Sequence, residues 1–524
     1  MDPHVSLRWL AAVGAGVAMA LAFPPIGLWP LAPIGVAVLT WAVAGRRGLV
    51  GFGLGSASGL TFFLVLVRWI TVIGVDAWIL LAAYSALWLG LVAWATAIVV
   101  RLPGWPLFVA AIWVAEEALR DRIPLGGWPW GRLAHSQADS PLLPLAWLGG
   151  SPLLTAAVAG MGACLTGIWF AVRRGVPLHA FGAAAVIAVL LFGGLLLPVP
   201  VSGESDGGPA DATIAVIQGN VPRTGLNSDG QRRAVLENHV RQTQRLADDV
   251  AAGLVPAPEA VIWPENAADS DPLADGEARA AIDGAVDLIA VPVLVGAVIA
   301  NPREPSTVLN VGIVWSPNTG PGQMYVKQHP VPFGEYIPFR AALASLISRF
   351  DQIPHDFAAG TESGVLDVGP VRLGDVICFE IAYDDLVRET VVDGARMIAV
   401  QTNNATYTGT GQTEQQLAMA RIQSVSHGRT VAVAATNGIS AVFLPDGTRI
   451  GQIPEDVAWQ IVARVPLRDS LTPGDVLGLW PEGIALVVSV LTVALGLRRP
   501  RGVWPAAGSG ITPQGTGQSR REDS

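Results

Sequence analysis

Lysine is almost absent from this chain of 524 residues. Lys327 is the only lysine among 33 lysine and arginine residues. An ammonium is a compact charge that can be desolvated against a reacting oxygen, whereas guanidinium is a planar fork of donors. Chance in an arginine-biased composition is one explanation for a single lysine. A chemical role for Lys327 is the other.

Charged residues are also scarce. They make up 14% of the chain, against 51% hydrophobic residues, whereas soluble domains carry roughly 25% charged residues. Much of this chain is therefore predicted to lie in lipid. The net charge is −9 and basic tracts are confined to short loops, so we expect no nucleic-acid partner.

The chain contains only two cysteines. Cys164 lies in an apolar run, which predicts a small buried hydrophobic side chain. Cys378 lies in the more polar half of the chain, so a disulfide between the two is not expected. A lone thiol in a domain that is predicted to be exported is unusual. We expect neither a metal nor a cofactor.

Apolar runs predict a membrane domain over residues 1–200 and a final span over 478–497. A spanning helix needs about 20 mainly apolar residues, and we count seven candidates before the soluble region. The predicted spans are 7–23, 26–44, 49–67, 78–100, 105–119, 153–172, 178–199 and 478–497.

Arginine predicts the orientation of these spans, because cytoplasmic loops carry the excess of positive charge. With the N-terminus inside, one side holds most of the arginines next to the spans, including Arg46, Arg101, Arg173 and Arg498. This distribution predicts a multi-pass protein of the bacterial plasma membrane, with residues 211–470 outside the cytoplasm. Residues 202–210 are predicted to be a linker, and residues 502–524 a disordered cytoplasmic tail.

Residues 211–470 alternate short apolar runs with polar helical stretches, which predicts a layered α/β or α+β sheet domain. The predicted strands are 213–217, 260–263, 291–299, 308–315, 371–378 and 397–401, with a hairpin over 431–436 and 440–444. The predicted helices are 231–252, 384–392 and 413–426.

Three residues that can carry chemistry stand near strand ends: Glu265, Lys327 and Cys378. A thiol attacks a carbonyl, a carboxylate takes the thiol proton, and a cation balances the charge on the tetrahedral oxygen. Each also has a structural explanation, since a cysteine at a strand end packs into cores and a glutamate after Trp-Pro caps helices. His329 and His427 rank below Glu265 as the base.

Together the three stretches resemble the nitrilase superfamily, whose members place a Glu-Lys-Cys triad on a four-layer αββα sandwich. Trp263-Pro264-Glu265, Lys327 and Cys378-Phe379-Glu380 match its motifs in order. With the membrane spans, the chain resembles the apolipoprotein N-acyltransferases. The matching segments are Gln218-Gly219-Asn220, 331–338 (Val-Pro-Phe-Gly-Glu-Tyr-Ile-Pro), 436–440 (Thr-Asn-Gly-Ile-Ser), Glu117 with Arg120, and 127–130 (Gly-Trp-Pro-Trp).

The resemblance implies a role for each matching residue. Cys378 is the nucleophile, Glu265 the general base and Lys327 the stabiliser of the oxyanion, while Glu335 and Glu380 support the site. It also implies a phospholipid as acyl donor and a diacylglyceryl apolipoprotein as acceptor, handled by a monomer in the membrane. An apolar run over 341–347 is either a partly inserted flap or a core helix.

Some positions depart from the family pattern. The pair Gln415-Gln416 stands where the family has Gln-His, and Pro330 replaces a leucine. These departures concern substrate preference and activity, and they leave the triad intact. Two other functions remain open: a membrane-tethered amidase with the same triad, and a membrane scaffold with a non-catalytic soluble domain.

Overall fold

The computed structural model describes residues 3–204, 208–221, 228–340 and 354–498. The tail predicted over 502–524 and the apolar run 341–347 lie outside the described residues. The described part has two halves, which are a set of apolar helices and a domain built on two sheets.

A helix stands at each of the eight positions where a span is predicted. Seven of them precede the sheet domain and one follows it. They are α1 (Pro3–Leu21), α2 (Leu31–Val43), α3 (Gly48–Leu66), α4 (Val75–Val99), α5 (Trp105–Arg120), α6 (Ala146–Arg173), α7 (Pro177–Gly193) and, at the C-terminal end, α13 (Trp480–Arg498).

Five helices of the described residues are long and apolar enough to cross a membrane by length and composition. They are α3, α4, α6, α7 and α13, whereas α1 and α2 have shorter apolar stretches and α5 has only 16 residues. The predicted span 26–44 is too long at its start. Pro30 occupies the position before α2, and proline disfavours helical geometry in the residue that precedes it.

The soluble half contains two mixed sheets. The first has the strand order β13-β1-β2-β3-β4-β5, with β6 paired to β4, and the second has the order β12-β11-β10-β9-β8-β7. The strands are β1 (Asp211–Gln218), β2 (Ala260–Ile262), β3 (Val293–Ala300), β4 (Thr307–Ser316), β5 (Gly320–Val326), β6 (Asp356–Phe357), β7 (Val365–Val368), β8 (Val371–Ile377), β9 (Met397–Thr402), β10 (Thr430–Ala435), β11 (Ser440–Phe443), β12 (Arg449–Ile453) and β13 (Trp459–Pro466).

Helices cover the outer faces of both sheets. On the first sheet, α8 (Ser228–Ala251) and α9 (Gly276–Ile289) close one apolar core. A second core lies between the sheets, where residues such as Val216 and Leu294 meet Leu373 and Ala399. The second sheet carries α10 (Asp384–Val392) and α11 (Gln412–His427). The predicted αββα layering therefore describes this half of the protein.

The helical layer over the second sheet also packs on the membrane half. One continuous core joins residues of α10 and α11, such as Leu386 and Val425, to residues of α5 and α6, such as Ile112 and Leu154. A short helix, α12 (Pro473–Leu477), leads from the sheet domain into α13. The two halves thus share an apolar interface beside the turn that follows β8.

The predicted strands and helices of the soluble half are all present within a few residues, and β10 and β11 pair as an antiparallel hairpin. Five strands were not among those predicted, namely β5, β6, β7, β12 and β13. For β5 the reason is that Gly320, Pro321 and Gly322 read as a turn. The strand lies at the edge of its sheet, where a missing N–H breaks no ladder. The helix α9 was also missed.

Candidate active site

The candidate residues lie at the ends of strands in both sheets. Glu265 follows β2, Lys327 follows β5 directly, and Cys378 follows β8 directly. Cys378 has a φ of 54°, which is the left-handed region that non-glycine residues seldom occupy. Such strained backbone persists where the surrounding structure fixes it, and it is common at reactive sites.

Lys327 is held between two carboxylates. Its Nζ lies 2.9 Å from Glu335 Oε1 and 3.3 Å from Glu265 Oε1. Burial acts to lower the pKa of Lys327, but Glu335, Glu265 and Cys378 together raise it well above its usual value. The ammonium therefore keeps its charge although only 1% of the residue is exposed.

Asn310 joins the two carboxylates from the neighbouring strand β4. Its Nδ2 donates to Glu265 Oε1 at 2.7 Å and to Glu335 Oε1 at 3.0 Å. The second oxygen of Glu265 accepts the Asn403 N–H at 2.8 Å. Glu265 is thereby fixed on both oxygens, which suits a base that must point at one proton.

Cys378 is a thiol in the resting site. Burial raises its pKa to about 12, the Glu265 carboxylate adds to this, and Lys327 opposes it. The Thr402 hydroxyl donates to the Cys378 Sγ at 3.4 Å. Because the thiolate is the nucleophilic form, attack from this site requires a base that takes the proton as the sulfur reacts.

Glu380 ties the turn that carries Cys378 to the loop that carries Lys327. Its Oε1 accepts the N–H groups of Gln328 at 2.7 Å and His329 at 3.0 Å. Its Oε2 accepts the Ile377 N–H at 2.8 Å. Burial raises the pKa of Glu380 to about 6, although Lys327 and the backbone donors act to lower it. Its part in the site is to position the two loops.

Gln416, on α11, also fixes the turn that carries Cys378. Its Nε2 donates to the Cys378 carbonyl oxygen at 2.9 Å, and its Oε1 accepts the Asn404 Nδ2 at 2.8 Å. In the sequence this residue is visible only as a departure from the family's Gln-His pair. Asn310 and Thr402 were missed as well, and the only sequence signal for Asn310 is one amide inside an apolar strand.

Aromatic rings of the membrane half cover Phe379, the residue after Cys378. The Phe379 ring stacks on Trp130 with centroids 5.9 Å apart and on Trp128 at 5.5 Å. Trp69 packs against Trp130 at 5.1 Å and against Tyr407 of the sheet domain at 5.1 Å. The turn that carries Cys378 therefore lies against the membrane half.

The two histidines that were ranked below Glu265 have other partners. The His329 ring stacks on Tyr383 with centroids 4.2 Å apart, and His427 Nδ1 lies 2.5 Å from Asp475 Oδ1. In residues 3–204, 208–221, 228–340 and 354–498, no group of three His, Cys, Asp or Glu side chains could hold a metal ion. The structure thus brings together Glu265, Lys327 and Glu335, with Cys378 and Glu380 beside them.

Two mixed sheets between helical layers, with Glu, Lys and Cys at strand ends, define a protein of the nitrilase, or carbon-nitrogen hydrolase, class built onto a membrane domain. Residues 15–165 match the family model described as apolipoprotein N-acyltransferase N-terminal domain, and residues 213–470 match the model described as carbon-nitrogen hydrolase.

Whole-length relatives define the family more narrowly. The apolipoprotein N-acyltransferase of Mycolicibacterium smegmatis is 41% identical over 504 residues, which cover 93% of this chain and 84% of that protein. The one from Gloeobacter violaceus is 30% identical and covers 94% of both chains. An amidase from Nesterenkonia sp. is similar at 15% identity and a TM-score of 0.35, over 51% of this chain and 95% of the amidase. The chain belongs to the apolipoprotein N-acyltransferase family.

Proposed function

We propose that this protein transfers a fatty acyl chain from a phospholipid to the α-amine of the diacylglyceryl-cysteine at an apolipoprotein N-terminus. The observation that carries the proposal is the contact of Phe379, directly after the candidate nucleophile, with Trp128 and Trp130 of the membrane half. A site that accepts two lipid substrates has to open towards the bilayer. The family membership supports the same reaction.

In the first half-reaction, the Cys378 sulfur attacks the ester carbonyl carbon of the phospholipid while Glu265 takes the thiol proton. A carbon–sulfur bond forms, and the carbonyl oxygen becomes an oxyanion that the Lys327 ammonium stabilises. The carbon–oxygen bond of the ester then breaks. Glu265 returns the proton to the leaving alkoxide, so that a lysophospholipid departs and an acyl thioester remains on Cys378.

In the second half-reaction, the acceptor amine attacks the thioester carbonyl. The carbon–nitrogen bond forms, Glu265 takes a proton from the amine, and Lys327 again balances the oxyanion. The carbon–sulfur bond then breaks, and Glu265 returns the proton to the sulfur. The change from thioester to amide is downhill, so the reaction needs no nucleotide. The buried aromatic surroundings support the proposal because water would otherwise hydrolyse the thioester.

The roles of the remaining residues follow from their contacts. Glu335 holds the Lys327 ammonium at 2.9 Å, and Glu380 fixes the two loops on which Lys327 and Cys378 stand. We place residues 211–470 on the extracytoplasmic side of the bacterial plasma membrane, because the arginines next to the spans favour that orientation. We also propose that the protein is a monomer, as the sequence analysis predicts.

The experiment is mass spectrometry of the purified full-length chain after incubation with a phospholipid. The expected result is one fatty-acyl adduct on Cys378, which disappears when a diacylglyceryl peptide is added and acylated peptide accumulates. Cys164→Ala is the matched control, because it removes the other cysteine and should leave the adduct unchanged. Cys378→Ala should abolish it.

Absence of the adduct on a folded protein would overturn the proposal. An enzyme of the amidase kind would instead hydrolyse small amides at a rate that is independent of added lipid. A scaffold would retain its function in the Cys378→Ala variant.

A further inference from the structure

A large groove lies between helices α5 and α7, along the face of α6. Its volume is about 1320 Å³. Residues of all three helices line it, together with the segment 100–104 that precedes α5. It is separate from the site at Cys378, because it extends along the membrane helices to the end that is remote from the sheet domain.

Small residues form the floor of the groove. Ala156, Gly160, Cys164 and Gly167 of α6 all line it. A Cβ atom added to Gly160 would lie 3.8 Å from Ala110, and one added to Gly167 would lie 3.7 Å from the Trp105 ring. These are ordinary contact distances. The floor could therefore carry larger side chains, and the groove is open space that the sequence has left unfilled.

Helix α7 forms one wall and is poorly embedded in the protein. Only 6% of its apolar window is buried, compared with 56% for the span that contains α6. Gly182 and Ala183 of α7 line the groove, and an added Cβ at Gly182 would meet nothing within 4 Å. A helix held so loosely leaves room for a ligand between itself and α5.

Two arginines and a histidine stand at one end of the groove. Arg101, Arg174 and His179 line it there, and Leu153 and Leu190 line it towards the other end. From Leu153 to Arg174 the helix rises about 30 Å at 1.5 Å per residue, which is close to the thickness of the hydrocarbon core. The groove thus combines an apolar body with one positive end, as an anionic lipid requires.

The arginines are placed to meet a head group. Arg101 Nη2 donates to the Arg46 carbonyl oxygen at 3.2 Å, and a guanidinium has five N–H donors in all. The Arg174 guanidinium lies over the Phe170 ring at 5.9 Å. Basic pockets between membrane helices on the cytoplasmic side bind the head groups of anionic lipids.

We infer that this groove binds one anionic phospholipid of the leaflet opposite the sheet domain. Its phosphate is held by Arg101 and Arg174, and its acyl chains run along the small-residue face of α6. This lipid fills the gap between α5 and α7 and stays bound. It is therefore not the acyl donor, and the inference does not depend on the acyl transfer proposed above.

The test is native mass spectrometry of the full-length protein with dioleoyl phosphatidylglycerol and, as a zwitterionic lipid with the same chains, dioleoyl phosphatidylcholine. The expected result is preferential retention of one phosphatidylglycerol. Arg101→Ala and Arg174→Ala should each weaken that retention about fivefold, from about 1 kcal/mol per basic residue at a membrane surface. Arg68→Ala, which removes an exposed arginine near the sheet domain, is the matched control and should change nothing.

Two groove-filling variants test the position of the lipid from opposite walls. Gly167→Leu on α6 and Gly182→Leu on α7 should both abolish retention of phosphatidylglycerol, while the thermal unfolding midpoint of each variant in lipid-free detergent stays close to that of the native protein. The unfolding midpoint reports that each variant has folded, whether or not the acyl transfer proposed above takes place. Equal retention of the two lipids, or retention unchanged in the arginine and leucine variants, would mean only non-specific lipid around the helices and would overturn the inference.

Discussion

Two clusters of buried charge lie on either side of Phe379, and they use different cations. In the cluster that we propose to be catalytic, called the catalytic cluster below, the ammonium of Lys327 faces Glu265 and Glu335. In the junction cluster, between the two halves of the protein, the buried cations are Arg120 and Arg132, and the partly exposed Arg122 pairs with Glu482 at 2.7 Å. Its carboxylates come from α5, the loop after it, α10 and α13, and are those of Glu116, Glu117, Asp121, Asp384 and Glu482.

The geometry of each cluster explains why one uses arginine and the other uses lysine. Arg132 reaches Asp384 at 2.9 Å, Asp121 at 3.3 Å and Glu482 at 3.8 Å, which are partners in three directions. Arg120 donates to the Trp128 and Trp130 carbonyl oxygens, both at 2.7 Å. A rigid fork with five donors serves such a junction, whereas a single compact charge can serve a reacting oxygen. The one lysine stands where the chemistry is proposed.

The largest effect is expected from Arg132→Ala, because removing one partner of a buried ion pair leaves an uncompensated charge. The free energy of unfolding should fall by about 3–5 kcal/mol. The measurement is the thermal unfolding midpoint of the purified protein in detergent. Arg233→Ala is the control, since the side chains of Arg233 and its partner Glu277 are 66% and 83% exposed and an exposed pair contributes about 0–1 kcal/mol. Similar midpoints for the two variants would contradict a junction held by Arg132.

The reciprocal exchange tests the catalytic cluster. Lys327→Arg keeps the charge but replaces the compact ammonium by a fork that is too wide for its place between Glu265 and Glu335. Formation of the acyl adduct on Cys378 should slow about 10²–10³-fold, the cost of losing one oxyanion donor. Single-turnover kinetics with phospholipid measure the rate.

Arg132→Lys is the matched variant for this exchange. It should lower stability but leave the rate of adduct formation per folded molecule within a few fold of the native rate. If Lys327→Arg reacted as fast as the native protein, the ammonium would have no special role and chance would explain the solitary lysine.

The sequence predicted more of the catalytic cluster than of the junction cluster. Glu265 and Cys378 stand beside apolar runs that predict strands, and together with Lys327 their order matches a known family. The contacts of Asn310 and Arg132 depend on elements that are far apart in the chain. No local pattern encodes which side chains a carboxylate from α10 or α13 will meet, and β5 was hidden because glycine and proline are typical of turns.

A smaller effect is expected for Asp375, a buried acid that belongs to neither cluster. It is fully buried, and a hydrogen bond from the Val376 backbone acts to lower its pKa only in part. Burial raises its pKa well above the usual value, and Glu380 and Glu265 add to the rise. The folded protein therefore keeps this proton at a pH where the unfolded chain has lost it.

The sign of the pH dependence follows. The contribution of protonated Asp375 to the free energy of unfolding is complete below the ordinary aspartate pKa. It decreases as pH rises towards the raised pKa of Asp375 in the folded protein. Asp375→Asn removes this loss, so the variant should be as stable as the native protein near pH 4 and more stable at pH 8. The difference should grow by no more than about 1.4 kcal/mol per pH unit. Thermal midpoints of both proteins across this range check it, and an advantage that grows as pH falls would contradict a protonated Asp375.

The smallest effect concerns the single hydrogen bond by which a tryptophan of the membrane half meets α11. Trp130 Nε1 donates to Gln415 Oε1 at 2.7 Å, and Gln415 Nε2 donates to the Leu66 carbonyl oxygen at 3.1 Å. Trp130→Phe keeps an aromatic ring but leaves a buried acceptor unsatisfied.

Trp69→Phe is the matched control. Trp69 packs in the same aromatic group, and its buried Nε1 has no hydrogen-bond partner within the described residues. Because the two changes remove similar ring area, the loss of unfolding free energy for Trp130→Phe should exceed that for Trp69→Phe by about 1–3 kcal/mol. Equal thermal midpoints would mean that packing alone, and not this amide, joins the rings over Phe379 to the helix that positions Cys378.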